Sequence, residues 1–248
     1  MERVKRASSH IANRLAPLLN GWYGWVVFGI AAYIIGMYLA SGTIYILARL
    51  GAFAALDATS FALVARLIMY GILATVMIIV PRWLKHRVSL QELGLGRAMQ
   101  WKDIGLGIAG LVIYLLLAMG ALALLRVIPG VNTTQAQDLD VGQVYGVSRM
   151  MVFVVLVVIT PFVEEVLFRG VFYGGLRARR VPMWAAALIV SVLFGFAHGQ
   201  LNVGIDVFCL SMVACYAREL TGSLWAGTVL HMIKNFIAFA VVYIINQG

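Results

Sequence analysis

Thr160-Pro161-Phe162-Val163-Glu164-Glu165-Val166-Leu167-Phe168-Arg169-Gly170 sets two carboxylates and a guanidinium within an apolar run that extends over 149–173. A run of that length crosses about 30 Å of hydrocarbon as a helix. Charge at that depth costs several kcal/mol or more unless it is paired or hydrated, so each such residue marks a candidate functional site.

Six further runs of similar character flank this one, at 22–47, 59–80, 104–125, 183–198, 203–216 and 224–245. The fold expected is all-α, a polytopic transmembrane bundle of about seven spans, or eight if the first is split. The fifth and sixth runs are short, which leaves room for a re-entrant segment. With 62% hydrophobic and 12% charged residues in 248, the chain is far from a soluble domain, where about a quarter of residues are charged. Two units are expected: a basic cytoplasmic segment at 1–21 and a membrane domain at 22–248.

The net charge of +9 does not point to nucleic acid, because the basic residues sit in short loops between apolar runs. Placing the amino terminus in the cytoplasm puts Arg3, Lys5, Arg6, Arg14, Arg82, Lys85, Arg87, Arg97, Lys102, Arg177, Arg179, Arg180 and Arg218 inside. Only Arg49, Arg126 and Arg149 fall outside. This is a positive-inside distribution. Membrane lipids are therefore the expected surroundings. Cys209 and Cys215 share one apolar run at a spacing that suits neither a metal clip nor a disulfide framework.

Two loops carry expectations of their own. The stretch 85–102 reads as a short amphipathic surface helix ending at glycine or, nearly as well, as an ordinary solvated connector, and the polar loop 129–147, with Asp138 and Asp140, lies on the opposite side. Arg66, within the second run, is expected to snorkel outward and carry no chemistry.

The polar residues within spans form three groups: Glu164, Glu165 and Arg169; Phe194 and His198; His231 and Asn235. Glu165 and Arg169 are four apart with the acid first, the favourable order for a same-face pair. Glu164 lies about 100° away around the helix, free to face another partner as a general base; on the spacing alone the reverse assignment of the two acids stays open. A tight basic turn at 179–182 makes an antiparallel hairpin, in which Glu164 and His198 both stand about 24 Å from the tip at 1.5 Å per residue. His231 and Asn235 share a face at i, i+4 and project toward that level. Both histidines are expected nearer to Glu164 than to Glu165. Pro161 removes a backbone donor and frees a carbonyl near the acids. Lys234 is expected to pair with Asp206.

At these residues the chain resembles the CPBP family, the CAAX-protease and bacteriocin-processing group of intramembrane proteases that includes the Ras-converting-enzyme type of CAAX prenyl endopeptidase. That family's pattern is Glu-Glu-x-x-x-Arg, Phe-x-x-x-His and His-x-x-x-Asn on successive membrane helices. Here Glu164-Glu165-Val166-Leu167-Phe168-Arg169, Phe194-Gly195-Phe196-Ala197-His198 and His231-Met232-Ile233-Lys234-Asn235 match it without substitution. The resemblance places a protease core at 149–246. It implies cleavage of a peptide bond in a membrane-associated or prenylated protein or peptide by water, with no covalent acyl-enzyme.

Carried onto these positions, the resemblance makes Glu164 the base and His198 its assistant. His231 and Asn235 would stabilise the oxyanion, while Glu165, Arg169 and Phe194 support the site. Many members of the family are labelled metalloproteases, and two histidines with a glutamate can supply three zinc ligands. No metal and no other cofactor is expected, because His-Glu-x-x-His is absent and Asn235 suits an oxyanion better than a metal. Two other readings use the same residues: a proton-coupled transporter, and a non-catalytic immunity or binding protein on the same scaffold.

Overall fold

The structure is a computed structural model and describes residues 13, 16–84, 86, 88–129, 132–133 and 144–245. The expected basic segment is therefore described only from residue 16, apart from Asn13. Arg3, Lys5, Arg6, Arg14, Lys85, Arg87, Asp138 and Asp140 lie outside the described residues.

Among the described residues, after a short 3-10 turn at Ala16–Asn20, seven helices follow in order: α1 (Trp22–Arg49), α2 (Ala58–Trp83), α3 (Trp101–Leu125), α4 (Gly146–Ala178), α5 (Met183–Phe196), α6 (Leu201–Thr221) and α7 (Trp225–Ile245). Six are long and apolar enough to cross a membrane, and α5 is a shorter apolar helix. The chain is an integral, multi-pass membrane protein. Large apolar side chains on the outer faces, such as Tyr38, Val112 and Leu116, are more than half exposed. In water such a surface would be a liability; in lipid it is the solvent-facing side.

Two starts show how the sequence sets the helix boundaries. Asp57 caps α2 by accepting the Ser60 N–H at 2.7 Å, and Asp103 at the head of α3 accepts the Gln100 N–H at 2.8 Å while pairing with Arg97 at 2.6 Å. Both satisfy donors that a helix terminus leaves open.

Helix α4 is central, packed against α1, α2, α5, α6 and α7. Two π-helical segments interrupt it, at Val154–Ile159 and Val166–Tyr173, one on either side of the acids. Such segments are frequent at functional sites.

Helix α5 ends at Phe196, short of the expected 183–198. His198 consequently sits in a tight turn beyond the helix, which Gly199 completes with φ of +70°. The return into α6 is close. A Cβ added at Gly195 would lie 2.7 Å from the Gly204 carbonyl oxygen, so the two backbones meet only because neither residue has a side chain.

Among the described residues of 85–102 the surface helix is not formed, and the connector reading holds. Residues 90–94 make a single turn instead, closed by a reciprocal capping pair in which Ser89 N–H donates to Glu92 Oε2 at 2.7 Å and Glu92 N–H donates to Ser89 Oγ at 3.1 Å. The physical reason is a tertiary clamp. Arg218 of α6 donates to the carbonyls of Leu93, at 2.9 Å, and of Glu92, and Gly94 O accepts the Leu224 N–H at 3.0 Å. Those acceptors would be used internally in a longer helix.

Candidate active site

Four helices bring the polar groups together around Phe194. The Phe194 ring is edge-on to Phe168, His198 and His231, with centroids at 4.7, 4.9 and 6.0 Å, and its face lies 4.5 Å from the Arg169 guanidinium carbon. The aromatic at this position thus touches a member of each of the three polar groups, Arg169, His198 and His231.

Glu165 and Arg169 form the expected pair at 3.0 Å, both fully buried. The charge of Arg169 is met by this carboxylate and by the ring face of Phe194 rather than by directed hydrogen bonds. The same Glu165 Oε1 accepts from His231 Nδ1 at 3.1 Å. His231 Nε2 lies 3.7 Å from Glu164 Oε2. The expectation that His231 sits nearer to Glu164 is therefore overturned, for a steric reason the motif does not show. Gly227, one turn before His231 on α7, leaves room for Glu165 to reach it; a Cβ there would stand 3.0 Å from Glu165 Oε2.

A carboxylate only accepts, so Nδ1 carries the proton and Nε2 is left on the Glu164 side. Glu165 thereby orients His231 as the carboxylate of a catalytic dyad orients its imidazole.

Glu164 is only slightly accessible and takes part in a contact absent from the sequence reading. Tyr70 Oη of α2 donates to its Oε1 at 2.5 Å. The one signal in the sequence was Arg66 and Tyr70, polar side chains four apart in an otherwise apolar span. Arg66 does not point outward as expected. It lines the same cavity as Glu164, on the face of α2 from which Tyr70, one turn on, bonds Glu164 of α4.

His198 Nδ1 donates to the Phe194 carbonyl at 2.8 Å, which leaves Nε2 as the acceptor of the neutral ring. Asn235 Nδ2 donates to the Leu156 carbonyl at 2.9 Å. Pro161 explains that bond. In the π segment Thr160 N–H reaches back to Val155 O, so the next donor in this register would serve Leu156 O. Residue 161 is proline and has no N–H. The freed carbonyl is thus Leu156's, and Asn235 fills it. Lys234 pairs with Asp206 at 3.3 Å, as expected, and Asp206 also accepts from Tyr114 at 2.5 Å.

Glu164, His198, His231, Lys234 and Asn235 all line one cavity of about 450 Å³, walled on its other side by α1 and α2. Tyr70 holds Glu164 Oε1 and Glu165 holds His231 Nδ1; among the described residues no three His, Cys, Asp or Glu side chains group to hold an ion.

Comparison with known proteins agrees in region. The family model described as type II CAAX prenyl endopeptidase, Rce1-like, matches residues 146–237. An Escherichia coli protein named "Uncharacterized 24.3 kDa protein" is 33% identical over 87 residues, 34% of this chain and 40% of that one. A Bacillus subtilis (strain 168) protein named "Putative membrane peptidase YdiL" is 25% identical over 152 residues, 58% of this chain and 57% of that one. The chain thus spans less than two thirds of either relative. No solved structure matches it at a comparable level.

Proposed function

We propose, from a chain whose residues 146–237 match the Rce1-like type II CAAX prenyl endopeptidase family model, that this protein is an intramembrane endopeptidase using Glu164 as a general base. The observation that carries the reading is the state of Glu164: one oxygen is held by Tyr70, and the other faces His231 across the cavity at 3.7 Å.

In the proposed reaction Glu164 Oε2 takes a proton from water, and the water oxygen bonds to the scissile carbonyl carbon. The oxyanion accepts from the amide proton of Asn235 that Leu156 does not use and from the Nε2–H that His231 gains when Glu164 passes it the water proton. His198 Nε2 assists the proton's passage to the leaving nitrogen. The C–N bond then breaks, giving a carboxylate and an amine. Glu165 and Arg169 keep His231 and Phe194 in place. No step requires a metal.

The proposed substrate is a membrane-associated protein or peptide, of CAAX or leader type, reached through the cavity wall of α1 and α2. The proposed orientation has the amino terminus in the cytoplasm of a prokaryote. Arg97, Arg177, Arg179 and Arg218 support it, being tied to one another's elements at a single end of the bundle: Arg177 to Glu219, Arg179 to Leu19 O at 2.5 Å, and Trp225 to Arg97 O at 2.9 Å.

The test is reconstitution in liposomes with a library of membrane-anchored peptides, read by mass spectrometry. Endoproteolytic products lost in His198→Ala, with no acyl adduct on the intact protein, are expected. A trapped acyl-enzyme would contradict attack by water, and products unchanged in His198→Ala would contradict the assigned site.

A further inference from the structure

We propose that Tyr70 is a positioning residue for Glu164, fixing Oε1 so that Oε2 alone is presented to the reacting water. The inference rests on the reading of Glu164 as the base and extends it to a helix outside the family-matched segment. Tyr70 is 8% exposed and belongs to α2, whereas the match covers only 146–237.

Three observations converge. The Tyr70 hydroxyl donates to the carboxylate at 2.5 Å, in the short range of charge-assisted bonds. Oε2 is 3.7 Å from His231 Nε2, beyond hydrogen-bond length, so the two oxygens of one carboxylate are made unequal. Third, α2 packs on α4 at both the 160–165 and 166–173 segments, which holds the phenol and the acid on elements that pack against each other. A free glutamate side chain has considerable rotamer freedom to lose, and a base misplaced by about 1 Å loses on the order of 100-fold in rate. A phenol on a packed helix supplies the missing restraint.

A merely structural Tyr70 would pin α2 to α4 and leave turnover alone, and the experiment separates the two roles. The full chain in liposomes is assayed with the peptide from the library that the wild type cleaves. Tyr70→Phe is expected to lower kcat about 10- to 100-fold, with KM within about twofold and the unfolding temperature unchanged. In a Glu164→Gln background the same change is expected to add no further loss. Independently of cleavage, difference infrared spectroscopy against Glu164→Gln identifies the Glu164 carboxylate stretch, which is expected to shift in Tyr70→Phe.

Wild-type kcat in Tyr70→Phe, an effect confined to KM, or an unmoved carboxylate band would each overturn the proposal. Should Tyr70→Phe unfold at lower temperature, 3,5-difluorotyrosine at position 70 keeps the ring and hydroxyl while changing donor strength. It must then alter both kcat and the band, and no change overturns the inference. Activity retained in Glu164→Gln would instead sink the base assignment, while the band still decides whether Tyr70 restrains the acid.

Discussion

Asn235 donates its side-chain amide to the backbone carbonyl of Leu156 at 2.9 Å, closing the gap that Pro161 opens in α4. An unmet carbonyl in this interior costs about 1–3 kcal/mol, so Asn235→Ala is expected to destabilise the protein by that amount. Adding Pro161→Ala supplies the absent N–H. The double variant should then be more stable than Asn235→Ala alone, as a coupled pair requires. Unfolding in detergent measures both, and strictly additive losses would contradict the account.

The Glu165–Arg169 pair is fully buried, and removing one partner strands the other's charge. Losses of about 3–5 kcal/mol are typical of such changes. Arg169→Met is therefore expected to unfold at much lower temperature, a shift read by thermal denaturation in detergent. Replacement of both residues by a matched apolar pair should recover part of the loss in stability but none of the activity, since His231 loses its orienting carboxylate.

Gly227→Ala places a methyl group within 3.0 Å of Glu165 Oε2. Overpacking of this kind costs about 1–3 kcal/mol, and here it also pushes the acid off His231. The expected outcome in a cleavage assay is a fall in kcat larger than the fall in stability explains. An equivalent methyl at Gly120, where nothing lies within 4 Å, is the control and should leave both unchanged.

Chelation is expected to leave cleavage unchanged, because the proposed reaction runs on Glu164, His198 and His231 without an ion. Activity measured after dialysis against a chelator, then after return of zinc, checks this; a loss restored by zinc would contradict it.

Much of this arrangement was legible from residue spacing. The i, i+4 step between Glu165 and Arg169 and the proline's missing donor are local, and local geometry is what sequence encodes most directly. The depth match of Glu164 and His198 also brought both to one cavity. The misreadings were tertiary. His231 chose Glu165 because Gly227 admits that acid, a steric fact spread over two helices. Arg66 lines the cavity with Tyr70, a residue on which the sequence reading placed no expectation, because of how α2 packs on α4, which an apolar run does not disclose. The stretch at 85–102 had the composition of a surface helix, and Arg218, more than a hundred residues away, took its carbonyls instead.

The central claim is that Glu164, and not its neighbour, is the base. The most direct measurement is kcat for Glu164→Gln in liposomes beside its unfolding temperature. A general base contributes about 10²–10⁴-fold, so the account predicts a loss of that size with the unfolding temperature close to wild type. Turnover within a few-fold of wild type in a folded Glu164→Gln protein would contradict it.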